Sequence, residues 1–179
     1  MPGTDDELEH DRVVLIGMMG SGKSTVGRSL SDRTGWPFVD NDALLLLRAT
    51  GRTARQLLAD EGEEAMRAAE SAAMAEGLAM PPPVIVAVAA GTVLDPGNRR
   101  ALEEAGRVVW LRAEPEVLGQ RAEGTDHRPW VQADATAWAQ RTLDARERLY
   151  ASVSDLQVDT GTMSADEAAD RILAFLRDG

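Results

Sequence analysis

The segment Gly17-Met-Met-Gly-Ser-Gly22-Lys23-Ser24 fits the pattern G-x-x-x-x-G-K-[ST]. It follows the apolar, β-branched run Arg12-Val-Val-Leu-Ile-Gly17, and a stretch with helical spacing continues from Lys23 to about Arg33. A strand, a glycine-rich turn and a helix in that order form a phosphate cradle and belong to parallel α/β sheets. Glycine at 17, 20 and 22 allows backbone angles and close approach that side chains block. The turn's N–H groups and the positive end of the following helix then face a phosphate. Lys23 reaches the outer phosphates and Ser24 offers a hydroxyl to Mg²⁺. Gly20, Ser21, Gly22, Lys23, Ser24 and Thr25 are therefore the candidate contacts of a bound ATP or GTP. Of the 19 Lys and Arg residues in the chain, Lys23 is the only lysine, and it stands where the pattern needs one.

The rest of the chain alternates strands with helices. Trp36–Asp40, Val84–Ala89, Arg107–Arg112 and Leu156–Asp159 read as further short strands. Between them, a helical stretch from Asn41 to about Ala79 is interrupted near Gly51 and Gly62 and stopped by Pro81-Pro82-Pro83. Helices are also expected from Asp95 to about Ala105, from Glu114-Pro115, and from Ala133 to about Val153. A last helix is capped by Ser164 and runs to Arg177. Gly124 to Gln132 reads as a loop. This alternation predicts an α/β fold, a three-layer α/β/α sandwich around a five-stranded parallel sheet.

Charge and cysteine content restrict the partners. The chain has 179 residues, with 30 acids against 19 bases and a net charge of −11. That balance opposes a broad nucleic-acid face and docking on anionic membranes. No apolar run approaches the ~18 residues of a membrane span. With no cysteine and only two histidines, thiolate chemistry is excluded and a multi-histidine metal site is not expected. The acidic start, residues 1–11, reads as a frayed leader rather than a signal peptide. The expectation is a cytoplasmic monomer acting on a small molecule, with residues 12–179 as one domain.

Asp40-Asn41-Asp42 closes the second strand. Residues two apart in an extended segment project to one side. Both carboxylates are thus expected at the carboxyl edge of the sheet, beside the phosphate loop, where open α/β sheets bind ligands. One carboxylate there would hold Mg²⁺ or its waters, and the other would accept a proton from an attacking hydroxyl.

From about Val13 to the C-terminus, the ordered motifs resemble the shikimate kinase family. The phosphate loop is followed by Phe38-Val-Asp-Asn-Asp42, then Gly51-Arg52, then Gly62-Glu63-Glu64-Ala65-Met66-Arg67-Ala68-Ala69-Glu70. Arg121, Arg128-Pro129, Arg146-Glu-Arg-Leu-Tyr150 and Val158-Asp159-Thr160 complete the set. The resemblance implies a P-loop kinase fold with a substrate-binding helical region at about 41–79 and a lid at about 121–133. It implies ATP as phosphoryl donor and shikimate as acceptor. By the same resemblance, Asp40 positions Mg²⁺ through water, while Asp42 holds acceptor hydroxyls and acts as base. Arg67 and Arg146 clamp the acceptor's carboxylate, which suits the planar fork of arginine. Arg121 stacks on adenine, and Arg128 on the lid steadies the transferring phosphoryl group.

The chain departs from the family pattern around the acceptor. Ala89-Ala90-Gly91 stands where three glycines are usual, at a place where backbone N–H groups, here of Ala90 and Gly91, help bind the carboxylate. A left-handed backbone there would cost each alanine ~1–2 kcal/mol. Leu58 and Met66 replace phenylalanines, and Trp130 follows the lid Arg-Pro. Two other readings stay open: a kinase for a different cyclitol or polyol acid, and a nucleotide-binding module without catalysis.

Overall fold

The computed structural model describes residues 12–123 and 134–178. Its elements in chain order are β1 (Arg12–Ile16), α1 (Lys23–Thr34), β2 (Phe38–Asp40), α2 (Asn41–Arg48), α3 (Ala54–Glu61), α4 (Glu63–Leu78), β3 (Val84–Ala87), α5 (Pro96–Glu104), β4 (Arg107–Arg112), α6 (Pro115–Glu123), α7 (Ala135–Val153), β5 (Leu156–Asp159) and α8 (Ala165–Asp178). The sheet is five-stranded in the order β2-β3-β1-β4-β5. Every neighbouring pair is parallel.

Period-two alternation places the layers. Val14 and Ile16 of β1 join Val84, Val86, Trp110 and Tyr150 in one core, while Val13 and Leu15 join Ile85, Val109, Ala169 and Ile172 in another. The central strands are apolar on both faces because helices cover both. The α2–α4 region adds a small core of its own from Leu45, Leu57, Met66 and Ala73. Among the described residues, no helix is long and apolar enough to cross a membrane.

Three boundaries differ from the sequence expectation. β2 begins at Phe38 rather than Trp36. Pro37 has no N–H for a ladder, although its carbonyl still accepts from the Ile85 N–H at 2.9 Å. β3 ends at Ala87, and the chain leaves the sheet through Ala89 and Ala90. α7 begins at Ala135 because Asp134 caps it, its side chain accepting from the Ala137 N–H at 2.9 Å. The interruptions near Gly51 and Gly62 are present. A capping box of Thr53 and Gln56 starts α3, and Gly62 separates α3 from α4.

Candidate active site

The carboxyl ends of β1, β2 and β3 open into a cleft of about 1630 Å³. A pocket for one small ligand usually holds ~300–1,000 Å³, so there is room here for two.

One end of the cleft is the phosphate loop. A Cβ on Gly17 would lie 2.4 Å from the Leu111 carbonyl oxygen, and its φ of +144 suits only glycine. Lys23 Nζ donates to the Gly17 and Met18 carbonyls at 2.9 and 3.0 Å, so the lysine crosses the loop. Gly20, Gly22, Lys23, Ser24 and Thr25 all line the cleft. Ser21 does not. It is fully buried with an unpartnered hydroxyl, and its carbonyl accepts from the Thr160 hydroxyl at 2.7 Å. Arg121 is not splayed outward; it donates to the Gly20 carbonyl at 3.1 Å and the Thr160 carbonyl at 2.7 Å. Arg128, Trp130, residues 124–133 of the lid expected at about 121–133, and the leader 1–11 lie outside the described residues.

The two aspartates reach the cleft by a different route from the expected one. Asp40 ends β2, but Asp42 is in the first turn of α2, not on the strand. Same-side projection along a strand is therefore not what joins them. Asp40 does it instead, with one carboxylate oxygen accepting from the Ser24 hydroxyl at 2.6 Å and the other from the Asp42 N–H at 3.0 Å. A single side chain thus ties the phosphate loop to the helix that carries Asp42. Ser24 and Asp40 offer only oxygen donors, the kind a hard cation prefers. Among the described residues, no cluster of three His, Cys, Asp or Glu side chains is present that would hold a metal by protein ligands alone.

The other end of the cleft is assembled from α4, the loop after β3, and α7. Arg67 donates to Glu70 at 2.8 Å and pairs with Glu63 at 3.3 Å. Arg146 donates to the Ala90 carbonyl at 3.3 Å. The Tyr150 hydroxyl donates to the same carbonyl at 2.7 Å. Gly91 lies directly under the Arg67 guanidinium, where a Cβ would be 1.9 Å from Arg67 Nη1. Of residues 89–91, Gly91 is the one where a Cβ would force the Arg67 guanidinium to shift. Its own φ is −87, and Thr50 is the single described non-glycine residue with positive φ. The left-handed strain expected for Ala89 and Ala90 is thus absent, and their methyls fit an ordinary backbone. Met66 and Leu58 line the cleft but also pack in the α2–α4 core, so they close its floor.

Two residues of this end escaped assignment from sequence. Glu70 is 7% exposed, and burial raises its carboxyl above the ordinary glutamate value, opposed by the hydrogen bond and charge of Arg67. Its signal was the three-residue spacing from Arg67, which places both on one helix face. Burial likewise pushes the Tyr150 phenol up to about 12. Its signal was the four-residue spacing from Arg146. Thr160 closes the Val158-Asp159-Thr160 motif, which gives no sign that its hydroxyl bonds the Ser21 carbonyl.

Fold and loop together define a P-loop protein with the architecture of the small kinases. The shikimate kinase family model matches residues 19–177. The chain belongs to the shikimate kinase family. It is 40% identical over 169 residues to a shikimate kinase of Symbiobacterium thermophilum, covering 93% of this chain and 96% of that one. It is 37% identical over 167 residues to a shikimate kinase of Pelotomaculum thermopropionicum, covering 93% and 95%. Its fold superposes with a TM-score of 0.86 on a shikimate kinase from Acinetobacter baumannii in complex with shikimate, at 29% identity and 94% coverage of both chains.

Proposed function

We propose that the protein transfers the γ-phosphoryl group of ATP to a hydroxyl of shikimate, giving shikimate 3-phosphate and ADP. One observation carries this reading: Arg67 and Arg146 meet at the Ala90–Gly91 peptide, in the same cleft as the phosphate loop. Two guanidinium groups at one point suit a carboxylate, and a phosphate loop beside them suits a nucleotide. The family relatives support the acceptor's identity.

In this reading the loop N–H groups and Lys23 hold the β- and γ-phosphates. Asp42, in the first turn of α2, takes the proton from the acceptor hydroxyl, whose oxygen then bonds to the γ-phosphorus as the bond to ADP breaks. Residues 41–79 form the acceptor-binding region. Arg121, held by the Gly20 and Thr160 carbonyls, lines the cleft beside the loop, and in this reading its guanidinium stacks on the nucleotide base. Mg²⁺ would be held by Ser24 and, through water, by Asp40, completed by nucleotide phosphate oxygens, and would neutralise phosphate charge. The reaction belongs in the cytoplasm, where ATP is supplied.

An ADP-release assay on purified protein with shikimate, quinate, gluconate and a set of cyclitols tests the proposal. Turnover strongest with shikimate is expected. Turnover with another polyol acid and none with shikimate would move the acceptor and keep the phosphate site. Binding of MgATP with no turnover on any acceptor would favour a non-catalytic module.

A further inference from the structure

The Ala90 carbonyl is a shared acceptor. Tyr150 and Arg146 both donate to it, at 2.7 and 3.3 Å, from positions one turn apart on α7. The Arg146 guanidinium also faces the phenol oxygen. On the other side of the same peptide, Gly91 carries the Arg67 guanidinium. A peptide unit is planar and trans, so holding the Ala90 oxygen also sets the opposite direction of the Gly91 N–H. The tyrosine itself is anchored: it is fully buried, and its ring stacks on Trp110 of β4 with centroids 5.6 Å apart.

We propose that the Tyr150 hydroxyl is a positioning group for the acceptor's carboxylate: by holding the Ala90 carbonyl, it seats the one peptide against which both Arg67 and Arg146 rest. This rests on the carboxylate-bearing acceptor proposed above. Stability alone does not account for the hydroxyl. A phenylalanine would keep the stacking, and a buried hydroxyl with one good bond adds little net stability. Burial keeps the phenol protonated far above neutral pH, so the donor persists at every working pH. Arg146 alone does not replace it, since its bond to the carbonyl is the longer one, and an arginine released to a ligand leaves the peptide unheld.

The test is Tyr150→Phe, with steady-state kinetics against shikimate, against ATP, and against the analogue whose carboxylate is reduced to a hydroxymethyl group. KM for shikimate should rise about 5–10-fold, with KM for ATP unchanged and the melting temperature close to that of the parent. With the carboxylate-free analogue, parent and variant should perform equally. A purely structural role would instead penalise both acceptors alike or disturb KM for ATP, and either result overturns the proposal. So does an unchanged KM for shikimate. A parent protein inactive on shikimate removes the functional reading first and this inference with it. Should the variant not fold, the parent still answers. Tyr150 is the only tyrosine in the chain, so fluorotyrosine labelling gives one fluorine resonance. Shikimate should shift it and the carboxylate-free analogue should not; a resonance that shikimate leaves unmoved overturns the proposal.

Discussion

The two ends of the cleft are built from different materials. The phosphate end is backbone: consecutive residues from Gly17 to Thr25 bend one loop, and the lysine folds back onto carbonyls five and six residues earlier. The acceptor end is side chains: Arg67, held by Glu70, and Arg146 and Tyr150 come from two helices and converge on a peptide 56 and 60 residues away from the latter two. A backbone site stands on local conformation and tolerates change elsewhere. A side-chain site depends on how separate elements pack, and one methyl in the wrong place disturbs it.

The largest effect should come from the backbone end. Lys23→Ala is expected to lower kcat by about 10³-fold or more, because positioning and charge stabilisation supply most of phosphoryl-transfer catalysis. Circular dichroism should show the fold retained. A loss under tenfold would separate the lysine from the chemistry.

Gly91→Ala comes next and addresses the acceptor end alone. Its Cβ would collide with Arg67 at 1.9 Å, so the guanidinium must leave its bond to Glu70 or shift away from the acceptor. KM for shikimate should rise about 10–100-fold, on the scale of a lost charge-assisted hydrogen bond, with KM for ATP unchanged. A parallel rise in both constants would mean that the two ends are not separable.

Glu70→Gln should act more mildly, raising KM for the acceptor ~3–10-fold at neutral pH as the ion pair with Arg67 becomes a hydrogen bond from the guanidinium to a neutral amide oxygen. Its pH dependence is the sharper readout. The Glu70 carboxyl is raised, so the folded state binds this proton more readily than the unfolded chain. Its contribution to stability is therefore present below the ordinary glutamate value and lost as pH rises through the raised one. Relative to Glu70→Gln, the parent should lose stability across that interval in urea titrations. Acceptor KM in the parent should climb on the acid side as Glu70 protonates and loosens Arg67. Arg67, Arg146 and Asp42 are the charges that tune this midpoint, and the glutamine variant should show no such limb.

The smallest effect should come from Ala89→Gly/Ala90→Gly. Neither alanine has a positive φ, so glycine relieves nothing. KM for shikimate should stay within about twofold, and stability should fall by ~0.4–1 kcal/mol per site through the freer unfolded chain. A large gain in acceptor affinity would show that the methyls obstruct the site after all.

The same contrast explains what was legible in the sequence. The phosphate loop, its strand and its helix are coded by neighbouring residues, so Gly17 to Ser24 announced themselves. The strand and helix alternation was equally local, and only ends moved, at Pro37, at the exit of β3 after Ala87 and at the Asp134 cap. The acceptor end was different. Arg67 and Arg146 were singled out through family resemblance, since spacing does not reveal that residues 67, 90 and 146 meet. The strand geometry expected to bring Asp42 beside Asp40 is not what does so, because Asp42 lies in the first turn of α2 and Asp40 serves as the cap of that helix. The strain expected at Ala89 and Ala90 failed because glycine at 91 answers to a side-chain contact, not to backbone angles. Glu70 and Tyr150 are placed by helical spacing beside Arg67 and Arg146, but spacing alone does not show that the Tyr150 hydroxyl reaches the Ala90 carbonyl 60 residues away.

Phosphorus NMR of the purified protein with MgATP and shikimate tests the whole account most directly. The γ-phosphate signal of ATP should be replaced by a phosphate monoester of shikimate in step with ADP, and not without shikimate. ADP formed together with free inorganic phosphate, at a rate indifferent to shikimate, would contradict it.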